Sequence, residues 1–220
     1  MMLPTHVLVG MALALPFAAA TPEFAGVALV AGAVGGAVPD FDMYAGHRRT
    51  LHYPVYYAAL GVPAVGAAAL VPTAGTTAAA VALLAAAVHS ASDALGGGLE
   101  LRPWEATSDR AVYDHWRGRW LAPRRVVRYD GAPEDLLLAV AVAVPLLLAL
   151  GGVRRWTVFG ILAVATAYAA VRRVLPDVAE WLLDGPLVRR LPDGLLARVP
   201  PRYRRGVRSP RSVEPRGDGR

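Results

Sequence analysis

"YPVYYAALGVPAVGAAALVPTAGTTAAAVALLAAAVHSASDAL", residues 53 to 95, decides the fold. From Tyr53 to Ser92 it carries no Asp, Glu, Lys or Arg. Turn formers at Pro72-Thr73-Ala74-Gly75 divide it into two apolar runs, 53–71 and 77–95. A helix needs about 20 residues, and no fewer than about 17, to cross a hydrocarbon core of ~30 Å. Both runs reach that length. Two antiparallel membrane helices joined by a tight turn are expected.

Working outward, further apolar runs cover 7–20, 24–38, 136–150 and 156–171, and residues 7 to 38 hold a single charged residue, Glu23. Over all 220 residues the chain is 55% hydrophobic, with a mean hydropathy of +0.39, too apolar for an ordinary water-soluble domain. Gly151-Gly152 reads as a second tight turn. The first two runs are short, so they are expected to be tilted, buried behind others or re-entrant. The fold class expected is all-α: a polytopic membrane helical bundle of about six spans over residues 1–175. An amphipathic surface segment, 176–200, interrupted by Pro186 and Pro192, follows it. The last part, 201–220, rich in Arg, Pro and Gly, reads as a disordered basic tail.

Between the fourth and fifth runs, "SDRAVYDHWRGRWL" (108–121) reads as an interfacial amphipathic helix with Ser108 as its N-cap. Val112, Trp116 and Trp120 recur every four residues and would share one face.

Charge sets the topology. With six spans, Arg48 and Arg49, seven Arg from Arg102 to Arg128 and twelve from Arg172 onward lie on one side, against Arg154 and Arg155 on the other. An asymmetry of 21 to 2 puts both termini in the cytoplasm and the protein in the cell membrane. "PFAAATPE" offers an Ala-x-Ala cleavage site, but "MMLPTH" brings no Lys or Arg to a signal-peptide n-region, so residues 1–20 are expected to stay as helix 1. The basic C-terminal end, behind a pI near 10.1, suits anionic lipid headgroups. No specific nucleic-acid partner is predicted, and the oligomeric state is left open.

Composition also excludes chemistry. There is no cysteine, which removes disulfides, thiolate metal sites and Cys nucleophiles. All 23 basic residues are Arg, which removes Schiff-base and Lys-base catalysis. Ionisable groups that remain at the ends of membrane helices are costly and tend to be functional. "PDFDMYAGHRRTLHYP", residues 39 to 54, gathers several of them. His6 precedes helix 1, Asp40 and Asp42 follow helix 2, His47 and His52 precede helix 3, and His89 and Asp93 close helix 4. In a six-span topology all these ends share one membrane face. His89 and Asp93, four apart, lie on one helical face, a spacing used in helical zinc sites. Pro39 and Gly46 argue that Asp40 and Asp42 sit in a turn, where one could bind metal and the other orient a His. Taken singly, a Pro-Asp-x-Asp is a common turn signal, Arg48 and Arg49 are topology anchors, and His115 is a surface histidine. Four histidines and three aspartates at one level read instead as a metal site.

At these residues the chain resembles the YdjM-like family of predicted membrane-bound metal-dependent hydrolases. The resemblance is carried by "PTHVLVG" near the N-terminus, "GAVPDFD" (36–42), "HRRTLH" (47–52) and "HSASD" (89–93), in order, over roughly the first hundred residues. The chain departs from the family pattern around His52, where Leu51 and Tyr53 stand in place of Thr and Ser, and Thr50 comes one place early. The resemblance implies a hydrolase. One or two Zn²⁺ ions, or Mn²⁺ in their place, would be held by His6, Asp40, His52, His89 and Asp93, with Asp42 and His47 either as further ligands or as supports behind them. Asp42 is the expected proton acceptor, and Arg48 the expected partner of a phosphate or developing oxyanion. The site's level in the membrane makes a phospholipid or other phosphoester the expected substrate. The rival expectation is a non-catalytic membrane protein, either a metal-binding scaffold with a closed coordination shell or a transporter. A transporter would place its polar groups near the bilayer midplane.

Overall fold

A computed structural model describes residues 1–184 and residue 194. Among the described residues run eight α-helices: α1 (Leu3–Leu13), α2 (Leu15–Ala20), α3 (Ala25–Ala37), α4 (Pro54–Leu70), α5 (Ala74–Ser92), α6 (Pro133–Ala149), α7 (Gly152–Val171) and α8 (Leu175–Asp184). Short 3₁₀ turns link several of them, and two three-residue strands pair between α5 and α6. The first apolar run is two helices because Pro16 can supply no N–H to a continuous ladder. The turn before α5 carries a capping box, in which the Thr73 hydroxyl accepts from the Thr76 amide and the Thr76 hydroxyl accepts from the Thr73 amide.

Residues 1–173 form one compact unit. In it α3 packs against α1 and α5, α4 against α5, and α6 against α1 and α7. Small residues let these helices touch backbone to backbone. A Cβ on Gly36 would lie 2.3 Å from the His6 carbonyl oxygen, and one on Gly10 would lie 2.0 Å from that of Gly32. Such contacts drive association where lipid leaves no hydrophobic difference between inside and outside. The core they enclose includes Leu8, Met11, Leu29, Val81, Ala139, Leu146 and Val158. The outer surface is apolar too, with Leu60, Val62, Leu70, Leu137, Leu148 and Val164 all exposed.

Three stretches are long and apolar enough to cross a membrane: Leu3–Ala20, Pro22–Met43 and Ala74–Leu95. Counting Gly152–Val171 together with Leu175–Leu182 makes a fourth. By this measure Pro54–Leu70 falls short, at 17 residues, so the described residues hold three to four candidate spans where about six are expected.

The predicted interfacial helix at 108–121 is a β-hairpin instead, so the fold is mostly helical rather than all-α. β1 (Val112–Asp114) and β2 (Arg119–Leu121) are antiparallel, with Val112 opposite Leu121 and Tyr113 opposite Trp120. The Asp114 carboxylate accepts the amides of Trp116 and Arg117 at 3.0 and 3.2 Å, and Gly118 takes φ +64°, so the turn is written in the sequence. Val112 and Asp114 are buried while Trp116 is 69% exposed, so the pattern is two-fold and not four-fold. In the second unit α8 overlaps the first part of the range 176–200, with Val178, Trp181 and Leu182 exposed. The rest of that segment, and the basic tail, lie outside the described residues.

Candidate metal centre

Three pieces of chain deliver the donors to one end of the first unit. After α3 a 3₁₀ turn, Val38–Tyr44, carries Asp40 and Asp42. The following loop reverses through Gly46 (φ +113°) and Arg48 (φ +60°) to present His47 and His52. The last turn of α5 and the residue after it supply His89 and Asp93.

Asp40, His52, His89 and Asp93 each offer one donor atom within 4.8 Å of all the others. His52 Nε2 lies 3.2 Å from Asp93 Oδ2 and 3.7 Å from Asp40 Oδ1. His89 Nε2 lies 3.5 Å from Asp40 Oδ1 and 3.8 Å from Asp93 Oδ2. Zinc–ligand distances of about 2.0–2.2 Å place the corners of a tetrahedral site roughly 3.3–3.6 Å apart. These four separations bracket that edge and no pair of donors exceeds 4.8 Å, so the group could hold a metal ion.

The remaining ring nitrogens explain why. His89 Nδ1 is 2.6 Å from the Gly36 carbonyl oxygen, which accepts, so Nδ1 carries the proton. His52 Nδ1 is 3.0 Å from Asp42 Oδ2 and donates likewise. Both Nε2 atoms thus face the carboxylates of Asp40 and Asp93. These Nε2 atoms and Asp93 Oδ2 are buried without a well-aligned hydrogen bond, although His52 Nε2 is near enough to Asp93 for one. Orphaned buried polar atoms are rare. Here three converge on one point, and each imidazole is held through its far nitrogen, as metal-binding histidines are. The side chains of His52 and His89 are fully buried; that of Asp40 is 12% exposed and forms the open edge.

The other predicted site residues lie one contact further out. His6 stacks on His89 with ring centroids 3.6 Å apart, and its Nε2 is 3.2 Å from Asp93 Oδ1. His47 Nδ1 meets Asp42 Oδ1 at 3.0 Å, on the oxygen that His52 does not use. Its pKa is lowered, because burial and the Arg48 charge outweigh Asp42.

Two expected roles need correction. Asp42 is 1% exposed and accepts from five donors: both histidine Nδ1 atoms and the amides of Arg48, Arg49 and Leu51. A carboxylate has about four lone-pair sites, so Asp42 has no capacity left to take a proton from water. Arg48 is equally committed. Only 6% exposed, it sets Nε 3.3 Å from Asp93 Oδ2 and donates from Nη1 to the Gly97 carbonyl at 2.7 Å. Burial disfavours its charge, but the Asp93 carboxylate outweighs that and raises its pKa. Arg48 is an internal counter-ion, not a hand held out to a phosphate. At His52, too, burial opposes the charged form, and Asp42 with Asp93 outweighs it, raising the pKa to about 9.

Some partners have no letter pattern in the sequence. The Gly36 carbonyl and the Met1 amino group, 3.0 Å from Asp93 Oδ1, belong to the backbone and the chain end. Asp135 is a third, at the start of α6. It accepts the Met2 amide at 2.7 Å, the Thr5 hydroxyl at 2.7 Å and the Gly131 amide at 3.0 Å, and so anchors the end of α1 that carries His6.

Compared with known proteins, the chain matches no family model, no curated protein and no solved structure.

Proposed function

We propose that the chain is a membrane-bound, metal-dependent hydrolase of the YdjM-like type, acting on a phospholipid or other phosphoester at the cytoplasmic face of the cell membrane. The observation that carries the reading is the convergence of His52 Nε2, His89 Nε2, Asp93 Oδ2 and Asp40 Oδ1 on one buried point. Two imidazoles and two carboxylates in a tetrahedral array favour one zinc ion over manganese, which prefers six oxygens. The six-span arrangement with both termini in the cytoplasm belongs to the same proposal, with α4 and α6 as short spans.

Asp40, His52, His89 and Asp93 would hold the zinc ion, which would supply a water of lowered pKa and polarisation of a phosphoryl oxygen. The chain's own residues prepare the place. Asp42 and the Gly36 carbonyl fix the two imidazoles, while Arg48 stands 3.3 Å from Asp93 as its counter-ion. Asp40 marks the side of approach. Met43, 41% exposed, lies one 3₁₀ turn beyond it, and Phe41, 68% exposed, follows it directly. An apolar rim beside an open carboxylate suits a lipid better than a small soluble ester.

A second reading has its own observation. Four protein donors close a tetrahedral shell, the habit of structural zinc sites, which favours a non-catalytic scaffold. Donors at one end of the helices, away from their middles, favour both readings over a transporter. The deciding experiment assays the zinc-loaded protein in mixed micelles for release of phosphate-bearing headgroups, with Asp40→Ala beside it. Zinc-dependent turnover lost in the variant supports the hydrolase. Stoichiometric zinc with no turnover of any phosphoester supports the scaffold.

A further inference from the structure

On a different face of the last turns of α5 lies a cavity of about 580 Å³ that plays no part in the metal centre. Its lining is apolar: Val88, Ala91, Ala94 and Leu95, facing Leu121 and Ala122, with Ser92 the one hydroxyl. Residues 124–127 strap its far wall in place. The Arg124 amide donates to the Ala94 carbonyl at 2.9 Å, and the Val127 amide to that of Leu95 at 3.1 Å. At the rim stands Arg124, exposed, its side chain without a hydrogen-bonding or acidic partner among the described residues.

We infer that this cavity binds an anionic membrane phospholipid, one acyl chain lying against Val88, Ala91 and Leu95 and the headgroup phosphate on Arg124. The volume falls within the range of about 300–1,000 Å³ found for ligand sites. An apolar slot with one guanidinium at its mouth is complementary to an amphiphile with one anionic end, and Arg suits phosphate oxygens through its planar fork. The location agrees. The cavity sits at the end of the candidate span Ala74–Leu95, where chain and headgroup regions of a bilayer meet. Neighbouring basic groups are otherwise engaged. Arg125 donates to the carbonyls of Ala106 and Ser108, and Arg128 pairs with Glu134, which leaves Arg124 to meet a headgroup. The site does not depend on a metal, because His89 and Asp93 belong to the other face of the same turns.

The test is native mass spectrometry of the full chain released from detergent and titrated with phosphatidylglycerol or phosphatidylcholine, in zinc-loaded and chelator-treated samples. The inference expects phosphatidylglycerol to be held more tightly than phosphatidylcholine, equally with and without zinc. Arg124→Gln should weaken phosphatidylglycerol about fivefold and abolish the preference. Ala91→Trp, which fills the cavity, should weaken both lipids. Glycerol phosphate should not compete. Retention unchanged in both variants would overturn the inference. Competition by glycerol phosphate as strong as by the lipid would overturn it too, since the site would then hold the anion alone. A protein that binds no zinc but keeps the lipid preference would refute the metal centre and leave this site standing.

Discussion

Asp42 Oδ2 stands 3.0 Å from His52 Nδ1, and that contact decides which nitrogen of His52 faces the metal group. The carboxylate is itself fixed by the amides of Arg48, Arg49 and Leu51. The loop after α3 is thus wound round one side chain, and the tautomer of His52 is a product of how that loop folds. Replacing Asp42 with Asn puts an NH₂ group among five donors. The expected outcome is a folded protein whose zinc affinity falls about 10- to 100-fold, read by competition with a chromophoric chelator. An unchanged affinity would mean that His52 needs no such support.

Protons and metal compete for His52. Its folded pKa, about 9, lies above the ordinary value of 6.5. In the metal-free protein its charged form therefore contributes stability that is fully present below 6.5 and lost as pH rises through about 9. Zinc must displace that proton. Apparent affinity is expected to climb by about tenfold per pH unit between pH 6 and 8, with proton release on binding. Titrations at three pH values in weak buffer measure both, and a flat profile would remove His52 from the ligand set.

Close helix contact is the mechanical basis of the site. A Cβ on Gly36 would meet the His6 carbonyl oxygen at 2.3 Å, so Gly36→Ala must part α3 from α1 and shift the carbonyl that holds His89. A loss of about 1–3 kcal/mol is expected, together with weaker zinc binding. Gly66, with nothing within 4 Å of the same added atom, is the control, and Gly66→Ala should leave both unchanged or slightly improved. Thermal unfolding in detergent compares the two. Equal behaviour would contradict the packing account.

Much of this was legible in the residues. The apolar runs locate α4 to α7 as helices because each is a long stretch with little charge bounded by turn formers, although length and apolarity make only some of them candidate spans. The clustering of His and Asp at helix ends marked the four donors, since such groups are costly beside lipid. Partition of roles was not legible. Asp40 and Asp42 differ by one intervening residue, yet one forms the open edge and the other is buried under five donors, a distinction set by how the loop closes. Arg48 reads as a phosphate ligand because the letters do not reveal that it turns inward to Asp93. The hairpin at Val112–Leu121 imitates a helix in sequence because Val112, Trp116 and Trp120 satisfy a helical spacing by coincidence. The Asp114 turn and Gly118 outweigh that pattern.

The central claim is that Asp40, His52, His89 and Asp93 hold one zinc ion. The most direct measurement is the metal content of the full chain, purified in detergent, by elemental analysis beside His52→Ala and His89→Ala. Near one zinc per chain in the parent, with a large loss in each variant while both remain folded, is the predicted result. No bound zinc in the parent after reconstitution, or the same content in all three proteins, would contradict it.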